Sequence, residues 1–180
     1  QEGAYPRLAW EGTGGTPIPE PGPLPLQGAG TAEEPYRVTT AQELASLSWY
    51  ILALVAHFIL ESDLDCRGLT LYPIGDNGHL GPFKGVFDGQ GHVLRNISMS
   101  QPNWGYMGLF GLIGEEGEVR NLGLVDTKIT GMAYVGALAG YNKGTLTNCY
   151  ATGTVTSSSN SNYIGGLVGY SSGVLTGCYA

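Results

Sequence analysis

Charged residues are scarce in this chain of 180 residues, and basic residues are the scarcest. Asp, Glu, Lys and Arg make up 13% of the sequence, with 8 Lys and Arg against 15 Asp and Glu and a net charge of −7. A nucleic-acid-binding protein typically presents a basic stripe, which eight scattered cations do not form. Hydrophobic residues still make up 42%, so the low charge does not indicate general disorder. We therefore predict a folded protein that does not bind nucleic acid.

Long apolar runs and cysteines are also few. The longest apolar stretch, residues 49–60, includes His57 and is too short to cross a bilayer, so we predict no membrane insertion. The three cysteines, Cys66, Cys149 and Cys178, form neither a CxxC pair nor a dense disulfide framework. Their odd number leaves the redox compartment open.

Glycine is abundant, and 30 glycines argue against an all-helical fold. One helix is nevertheless predicted. A short strand at residues 36–39 precedes Thr40 and Glu43, which have the spacing of a capping box. Apolar residues then recur near helical spacing from Ala41 to about Phe58. We predict one helix there, apolar on most of its circumference and well covered, with His57 as a helix-end or core histidine.

A repeat determines the predicted fold. Residues 134–151, YVGALAGYNKGTLTNCYA, match residues 163–180, YIGGLVGYSSGVLTGCYA, at 11 of 18 positions, and a weaker copy occupies residues 106–124. Repeats of this length indicate stacked units, and each one reads as strand, glycine turn, strand. We predict an all-β, right-handed parallel β-helix whose coils lie about 4.8 Å apart. The predicted stacked pairs are Tyr134 and Tyr163, Leu138 and Leu167, Leu146 and Leu175, and Cys149 and Cys178.

The second repeat carries a family resemblance. Residues 165–180 resemble the GLUG-motif repeat of bacterial surface proteins, which reads roughly GGLVGxNxGxIxNCYA. The departures are Gly177, where Asn is usual, and Ser171, where the other copy has Asn142. Five upstream features are similar to the sequence that precedes such repeats: residues 30–36, the predicted capped helix, and residues 62–65, 73–75 and 83–92. The resemblance covers about residues 30–180 and implies a large secreted or surface-anchored protein of adhesin type, with no established catalytic residues.

Three regions follow from these observations. Residues 1–30 form an extended apolar arm and a proline-rich spacer, residues 31–60 a strand and a capping helix, and residues 61–180 the β-solenoid. The arm contains Tyr5, Leu8 and Trp10, and residues 5–10 resemble a segment that follows the last repeat of a preceding unit in multi-unit proteins.

The arm leads to a hypothesis about partners. A solenoid needs protection at both ends, because its open strands otherwise pair with another chain. We hypothesise that residues 4–12 of one unit complete the open C-terminal coil of its neighbour by β-augmentation. The expected partners are copies of the same unit, either separate chains or covalently continuous tandem units.

Catalytic chemistry is not predicted. Residues 169–173 fit the GxSxG pattern of hydrolases, but no Asp or His follows, so we predict a corner turn. Carbohydrate-active enzymes also use β-helices, yet from Thr127 onward there is no acid and no histidine to act on a substrate. We predict no catalytic residue and no cofactor.

No metal site is predicted either. Asp63 and Asp65 could hold Ca²⁺ together with Asp76 or Asp88, but an all-oxygen site wants six or more ligands. We expect structural or solvated carboxylates, and a tight turn at residues 88–91. His79 and His92 lack partners at ligand spacing.

Aromatic residues and glycan sites leave alternatives open. Several tyrosines and Trp104 recur through the repeats and could stack glycans, or could simply seal the coils. Asn96 begins an Asn-Ile-Ser sequon and is a candidate glycosylation site. Cys149 and Cys178 fall within disulfide range if they stack, although stacked free thiols are also common small hydrophobes.

The function predicted from the sequence is structural. We expect an extracellular, cell-surface module that assembles head-to-tail into a bacterial surface filament or tandem adhesin. The alternative is a glycan-binding adhesin domain, followed by a β-helix carbohydrate-active enzyme.

Overall fold

The computed structural model describes residues 24–77, 80–159 and 163–180. Over these residues the chain winds into a parallel β-solenoid whose seventeen short strands form four sheets. Every pair of described strands is parallel. The fold prediction of an all-β parallel solenoid is therefore confirmed.

The sheets differ in the number of strands. The six-stranded sheet contains, in spatial order, β1 (Tyr36–Val38), β2 (His57–Leu60), β4 (Val86–Asp88), β9 (Glu118–Arg120), β13 (Thr145–Thr147) and β17 (Val174–Thr176). The five-stranded sheet contains β14 (Tyr150–Ser157), β10 (Gly123–Gly131), β5 (Val93–Arg95) and β3 (Leu64–Asp65), with β6 (Ser98–Ser100) also on β10. One three-stranded sheet contains β15 (Tyr163–Ile164), β11 (Tyr134–Val135) and β7 (Tyr106–Met107). The other three-stranded sheet contains β16 (Val168–Ser171), β12 (Ala139–Asn142) and β8 (Phe110–Ile113).

The register follows the repeat. Tyr134 pairs with Tyr106 on one side and Tyr163 on the other, and Leu146 pairs with Leu175. The Leu138 amide donates to the Leu167 carbonyl, and the Tyr179 amide donates to the Cys149 carbonyl. These contacts confirm the predicted stacking of equivalent residues.

The core is a column of inward side chains. Its aromatic part consists of Phe58, Phe83, Phe87 and Phe110, all at most 1% exposed. The Phe83 and Phe110 ring centroids lie 4.9 Å apart, and those of Phe58 and Phe87 lie 6.1 Å apart. Because side chains alternate across each strand, every coil contributes inward residues to this single core.

One corner of the solenoid is built by left-handed residues. Asn121, Asn148 and Gly177 have φ of 52°, 52° and 64°, a region that Gly and Asn tolerate best. The Asn148 Nδ2 donates to the Asn121 Oδ1 at 3.3 Å. Gly177 therefore replaces the usual Asn of the motif without changing the corner.

The predicted long helix is wrong beyond its first turns. The capping box at Thr40 and Glu43 is present, but the α-helix covers only Ala41–Ser46. Two 3₁₀ helices follow at Leu47–Trp49 and Ile51–Leu54, and His57–Leu60 is strand β2. His57 is consequently a half-buried strand residue and not a helix-end or core histidine.

Two physical causes explain this difference. The Ser46 and Ser48 hydroxyls donate back to the carbonyls of Glu43 and Ala45, a local bond that competes with helix continuation. Strand β2 also hydrogen-bonds on both edges, to β1 and to β4, which no local propensity anticipates. None of the helices in the described ranges is long and apolar enough to cross a membrane.

Candidate functional site: the open end of the solenoid

The last coil has strands that pair on one side only. We define residues 163–180 as the terminal coil. It contributes β15, β16 and β17, and each is the last strand of its sheet. Within the described part of the chain, no strand pairs with their outer edges. Such edges present unpaired backbone donors and acceptors and are a template for strand addition.

Two inward side chains of the terminal coil are uncovered, although Leu167 of the same coil is buried. Val135 is fully buried, whereas its partner Ile164 is 45% exposed. Leu146 is fully buried, whereas its partner Leu175 is 43% exposed. The same apolar residue types thus lie in a core in one coil and at a surface in the next. The terminal coil offers a further layer of chain both hydrogen bonds and apolar contacts.

Tyrosines form a stack that ends at Tyr163 in the terminal coil. The Tyr134 ring lies 4.8 Å from Tyr106 and 4.7 Å from Tyr163, with interplanar angles of 12° and 7°. Burial raises the pKa of Tyr134, and the neighbouring tyrosines raise it further. Because each ring covers the next, the stack leaves few faces free for a sugar. A parallel pair, Tyr150 and Tyr179, stands elsewhere on the surface at 5.3 Å.

The predicted assembly arm cannot be placed. Tyr5, Leu8 and Trp10 lie outside the described residues, as does His79. The role of the arm therefore stays a prediction.

The candidate glycosylation residue has a defined environment. Asn96 has φ of 58°, and its Nδ2 donates to the Asp65 Oδ1 at 2.9 Å. The same Asp65 oxygen accepts from the Arg67 amide. N-glycosylation would use one of the two Nδ2 hydrogens of Asn96, so the other hydrogen could still donate to Asp65. Glycosylation there stays a prediction.

The carboxylates considered for Ca²⁺ have other partners. Asp63 accepts from the Val93 amide and approaches His92 and Arg95. The Val93 hydrogen bond is the main reason that the pKa of Asp63 lies below its usual value. Asp76 accepts from backbone amides in its own loop. Among the described residues, no group of three or more His, Cys, Asp or Glu side chains could hold a metal ion.

Asp88 is the most enclosed of these carboxylates. It accepts from Arg120 Nε at 2.8 Å, from the Gln90 amide at 2.9 Å and from Asn121 Nδ2 at 3.1 Å. Burial would raise its pKa, but these hydrogen bonds outweigh burial and lower it. Asp88 therefore joins the turn at residues 88–91 to the neighbouring coil.

The Asp88 contacts predict an acid-dependent loss of stability. The pKa of Asp88 is lower in the folded state than the value of about 3.9 in the unfolded chain, so the ionised carboxylate stabilises the fold at pH values above that value. This stabilisation is lost as the pH falls through the folded-state pKa. At pH 7 we expect Asp88→Asn to cost about 1–3 kcal/mol in free energy of unfolding, toward the lower end because Arg120 is partly exposed. Below about pH 4 the difference from the wild type should shrink.

Urea titrations at pH 7 and pH 3 measure this difference. Asp126→Asn is the matched control, because Asp126 is exposed and has φ of 57°, where Asn is equally acceptable. The prediction is contradicted if the loss in free energy of unfolding caused by Asp88→Asn is the same at pH 7 and at pH 3.

The GxSxG segment is a corner, as predicted. Strand β16 ends at Ser171, and the chain bends at residues 172–173. The Ser171 hydroxyl accepts from the Nδ2 of the fully buried Asn142 at 3.1 Å. Asn142 in turn accepts from the Gly144 amide, so this serine belongs to a structural turn.

The cysteines are free thiols in this structure. Burial raises the pKa of Cys149 to about 12 and that of Cys66 to about 11. The Cys149 thiol donates to the carbonyls of Thr147 and Val119. Cys149 is thus a small core residue, while Cys178 is half-buried in the terminal coil.

An exposed apolar surface was missed by the sequence reasoning. Trp49, Ile51, Leu52 and Val55 are 54–66% exposed, although the predicted helix should have covered them. We call these four side chains the apolar ridge. The sequence did contain one signal for this surface: Ser46 and Ser48 favour an early end of the helix, which leaves the residues after them outside it.

Comparisons with known proteins agree with this architecture. The family model described as the GLUG motif matches residues 133–156. A protein of Evansella cellulosilytica, provisionally named a Gly-rich membrane protein, is 40% identical over 133 residues, which cover 67% of this chain and 15% of that protein. Halomucin of Haloquadratum walsbyi is 31% identical over 142 residues, which cover 73% of this chain and 2% of halomucin. The chain therefore spans only a small part of either relative.

A solved structure supports the fold. A Bacteroides ovatus protein, described as a candidate immunoglobulin A1 protease, matches with a TM-score of 0.55 over 85% of this chain and 77% of that one. The sequence identity is 17%, so the likeness concerns the fold alone.

Proposed function

Because this chain is a GLUG-motif protein with a parallel β-solenoid, we propose that it is a structural module of an extracellular, cell-surface protein. Successive modules stack head-to-tail, and residues 4–12 of one module complete the terminal coil of its neighbour. Two relatives, one named a membrane protein and the other halomucin, support a surface location.

The observation that carries this proposal is the exposure of the terminal coil. Its inward residues Ile164 and Leu175 are nearly half exposed, whereas their partners one coil earlier are fully buried. Uncovered apolar positions beside unpaired strand edges favour a further layer of chain. Tyr5, Leu8 and Trp10 supply large apolar groups of the type that such a layer needs.

A structural role is favoured over catalysis. Ser171, in the one GxSxG match considered, accepts a hydrogen bond from Asn142 at a corner. The residues from Thr127 onward contain two lysines and neither acid nor histidine. The candidate protease shares the fold at 17% identity, which transfers no active site.

Deleting residues 1–12 tests the arm. Without the arm the terminal coil loses its proposed partner, so we expect fibres seen by electron microscopy to become at least severalfold shorter, or to disappear. The matched control keeps the arm and replaces only Gly14 and Gly15 by Ser in the spacer, and it should assemble normally. Fibres of unchanged length after the deletion overturn the arm's role.

A further inference from the structure

Three aromatic rings form a continuous group on the side of the solenoid. The Trp49 and Tyr72 ring centroids lie 5.1 Å apart, and those of Tyr72 and Trp104 lie 6.0 Å apart. Trp49 is 66% exposed and Trp104 is 46% exposed, with the half-buried Tyr72 between them. Trp49 precedes β2, Tyr72 lies between β3 and β4, and Trp104 lies between β6 and β7. We call these three side chains the aromatic strip.

The rings of the aromatic strip do not cover one another. The interplanar angle is 68° between Trp49 and Tyr72 and 37° between Tyr72 and Trp104, so neighbouring rings meet by an edge or at a tilt. In the tyrosine stack, by contrast, Tyr134 is nearly parallel to both of its neighbours and each ring covers the next. The strip therefore leaves aromatic faces available to a ligand, which the tyrosine stack does not.

The backbone beneath the aromatic strip is fixed. Tyr72 stands between the buried residues Leu71 and Pro73. The Trp104 amide donates to the Gln101 carbonyl, and the Trp104 carbonyl accepts from the Met132 amide of the next coil. Trp49 ends a 3₁₀ helix that directly follows the capped α-helix. A ligand would thus meet rings on an ordered surface, and little chain entropy would be lost on binding.

The segments that carry the strip are uncharged. Residues 44–60, 68–75 and 96–114 contain no Asp, Glu, Lys or Arg. Thr70 and Asn103, beside the rings in sequence, are exposed and offer a neutral hydroxyl and a neutral amide. An acidic ligand would be repelled by the net charge of −7 and would find no cation in these segments. The same lack of cations disfavours an anionic membrane surface.

These features fit the chemistry of a neutral sugar. One face of a pyranose ring presents C–H groups that pack on an aromatic face, and its hydroxyls hydrogen-bond with neutral polar groups. We propose that the aromatic strip binds an uncharged polysaccharide whose sugar rings pack on Trp49 and Trp104. An open strip that joins three segments of the chain suits an extended glycan better than a single sugar. The site is independent of the proposed head-to-tail assembly, and it adds a binding function to the structural one.

Variants of the full chain test the aromatic strip. Trp49→Ala and Trp104→Ala each remove one exposed ring, so each variant should fold, which circular dichroism checks. Trp104→Phe keeps an aromatic face at the same place. Tyr179→Ala is the matched control, because Tyr179 is a 64% exposed aromatic residue outside the strip.

Isothermal titration calorimetry of the unassembled protein measures the binding. The probes are three neutral hexasaccharides, namely cellohexaose, laminarihexaose and mannohexaose, and one acidic probe, hexagalacturonate. We expect at least one neutral probe to bind, and each Trp→Ala variant to bind it about fivefold more weakly, as suits the loss of one aromatic contact. Trp104→Phe should retain most of the affinity, and Tyr179→Ala all of it. Hexagalacturonate should bind more weakly than the neutral probe.

Four outcomes overturn the inference. The first is that none of the three neutral hexasaccharides binds, and the second is that hexagalacturonate binds as tightly as they do. A loss of sugar binding in Tyr179→Ala, with both Trp→Ala variants unaffected, would place the sugar on tyrosines outside the strip. Binding to phosphatidylcholine vesicles that both Trp→Ala variants lose, without any binding of sugar, would identify a membrane surface. The proposed assembly fails separately, if the wild type forms no fibres while it still binds the sugar.

Discussion

Replacing Gly144 by Ala is expected to destabilise the fold by about 3 kcal/mol or more, at the upper end of the cost of overpacking. An added Cβ would overlap the backbone carbonyls of Gly114 and Gly117 in the coil below. Neither obstacle is a flexible side chain. The coil would have to move, which breaks the hydrogen bond from the Thr145 amide to the Gly117 carbonyl. Urea unfolding followed by circular dichroism measures the loss.

Gly105 provides the matched control for this substitution. A Cβ on Gly105 meets no heavy atom within 4 Å. Gly105→Ala should therefore change the free energy of unfolding by less than about 1 kcal/mol. If Gly144→Ala is as well tolerated as Gly105→Ala, the close approach of adjacent coils is not what selects glycine in the repeat.

Truncating Leu146 is expected to cost about 2–5 kcal/mol in free energy of unfolding. Leu146 is fully buried between Val119 and Leu175 of the adjacent coils. Leu146→Ala leaves a cavity that rigid neighbouring strands cannot close, which adds to the lost burial. Thermal and urea unfolding of the isolated protein measure this cost.

Leu175→Ala is the same substitution at the equivalent position of the next coil, and its cost is compared with that of Leu146→Ala. Leu175 is 43% exposed, so in the unassembled protein its truncation should cost clearly less than that of Leu146. If the proposed head-to-tail assembly covers the terminal coil at high protein concentration, the cost of Leu175→Ala there should rise toward that of Leu146→Ala. Equal costs in the dilute protein would mean that the terminal coil is already covered.

The stacking of the coils could be predicted because the repeat itself encodes it. An offset of 29 residues aligns Tyr134 with Tyr163 and Leu146 with Leu175, and parallel pairing turns that alignment into direct contact. The corner could be predicted from the repeat as well, because Asn148 and Gly177 occupy equivalent positions and both residue types tolerate a left-handed backbone.

The segment after Ser46 could not be predicted in the same way. Apolar residues from Leu44 to Phe58 satisfy helical spacing and, near the end, strand alternation as well. What decides between them is distant in sequence: β2 lies between β1 and β4. The error about the helix concealed the apolar ridge, because residues assigned to a covered helix are not expected at the surface.

The glycan-binding alternative was limited by geometry that the sequence does not contain. Tyrosines at repeating positions could equally present their faces to a sugar or cover one another. The stacking of Tyr106, Tyr134 and Tyr163 at 4.7–4.8 Å covers the inner faces. Ring orientation depends on the distance between coils, which periodicity alone does not set.

The repeated layering of the last three coils makes the length of such a molecule adjustable in discrete steps. The last three coils rest on one another through the same corner and tyrosine contacts, so one duplicated repeat there would find its partners already in place on both sides. A gene could therefore lengthen such a rod by about 4.8 Å for every repeat it copies. The length of the rod would then depend only on the number of repeats, with no new fold to evolve.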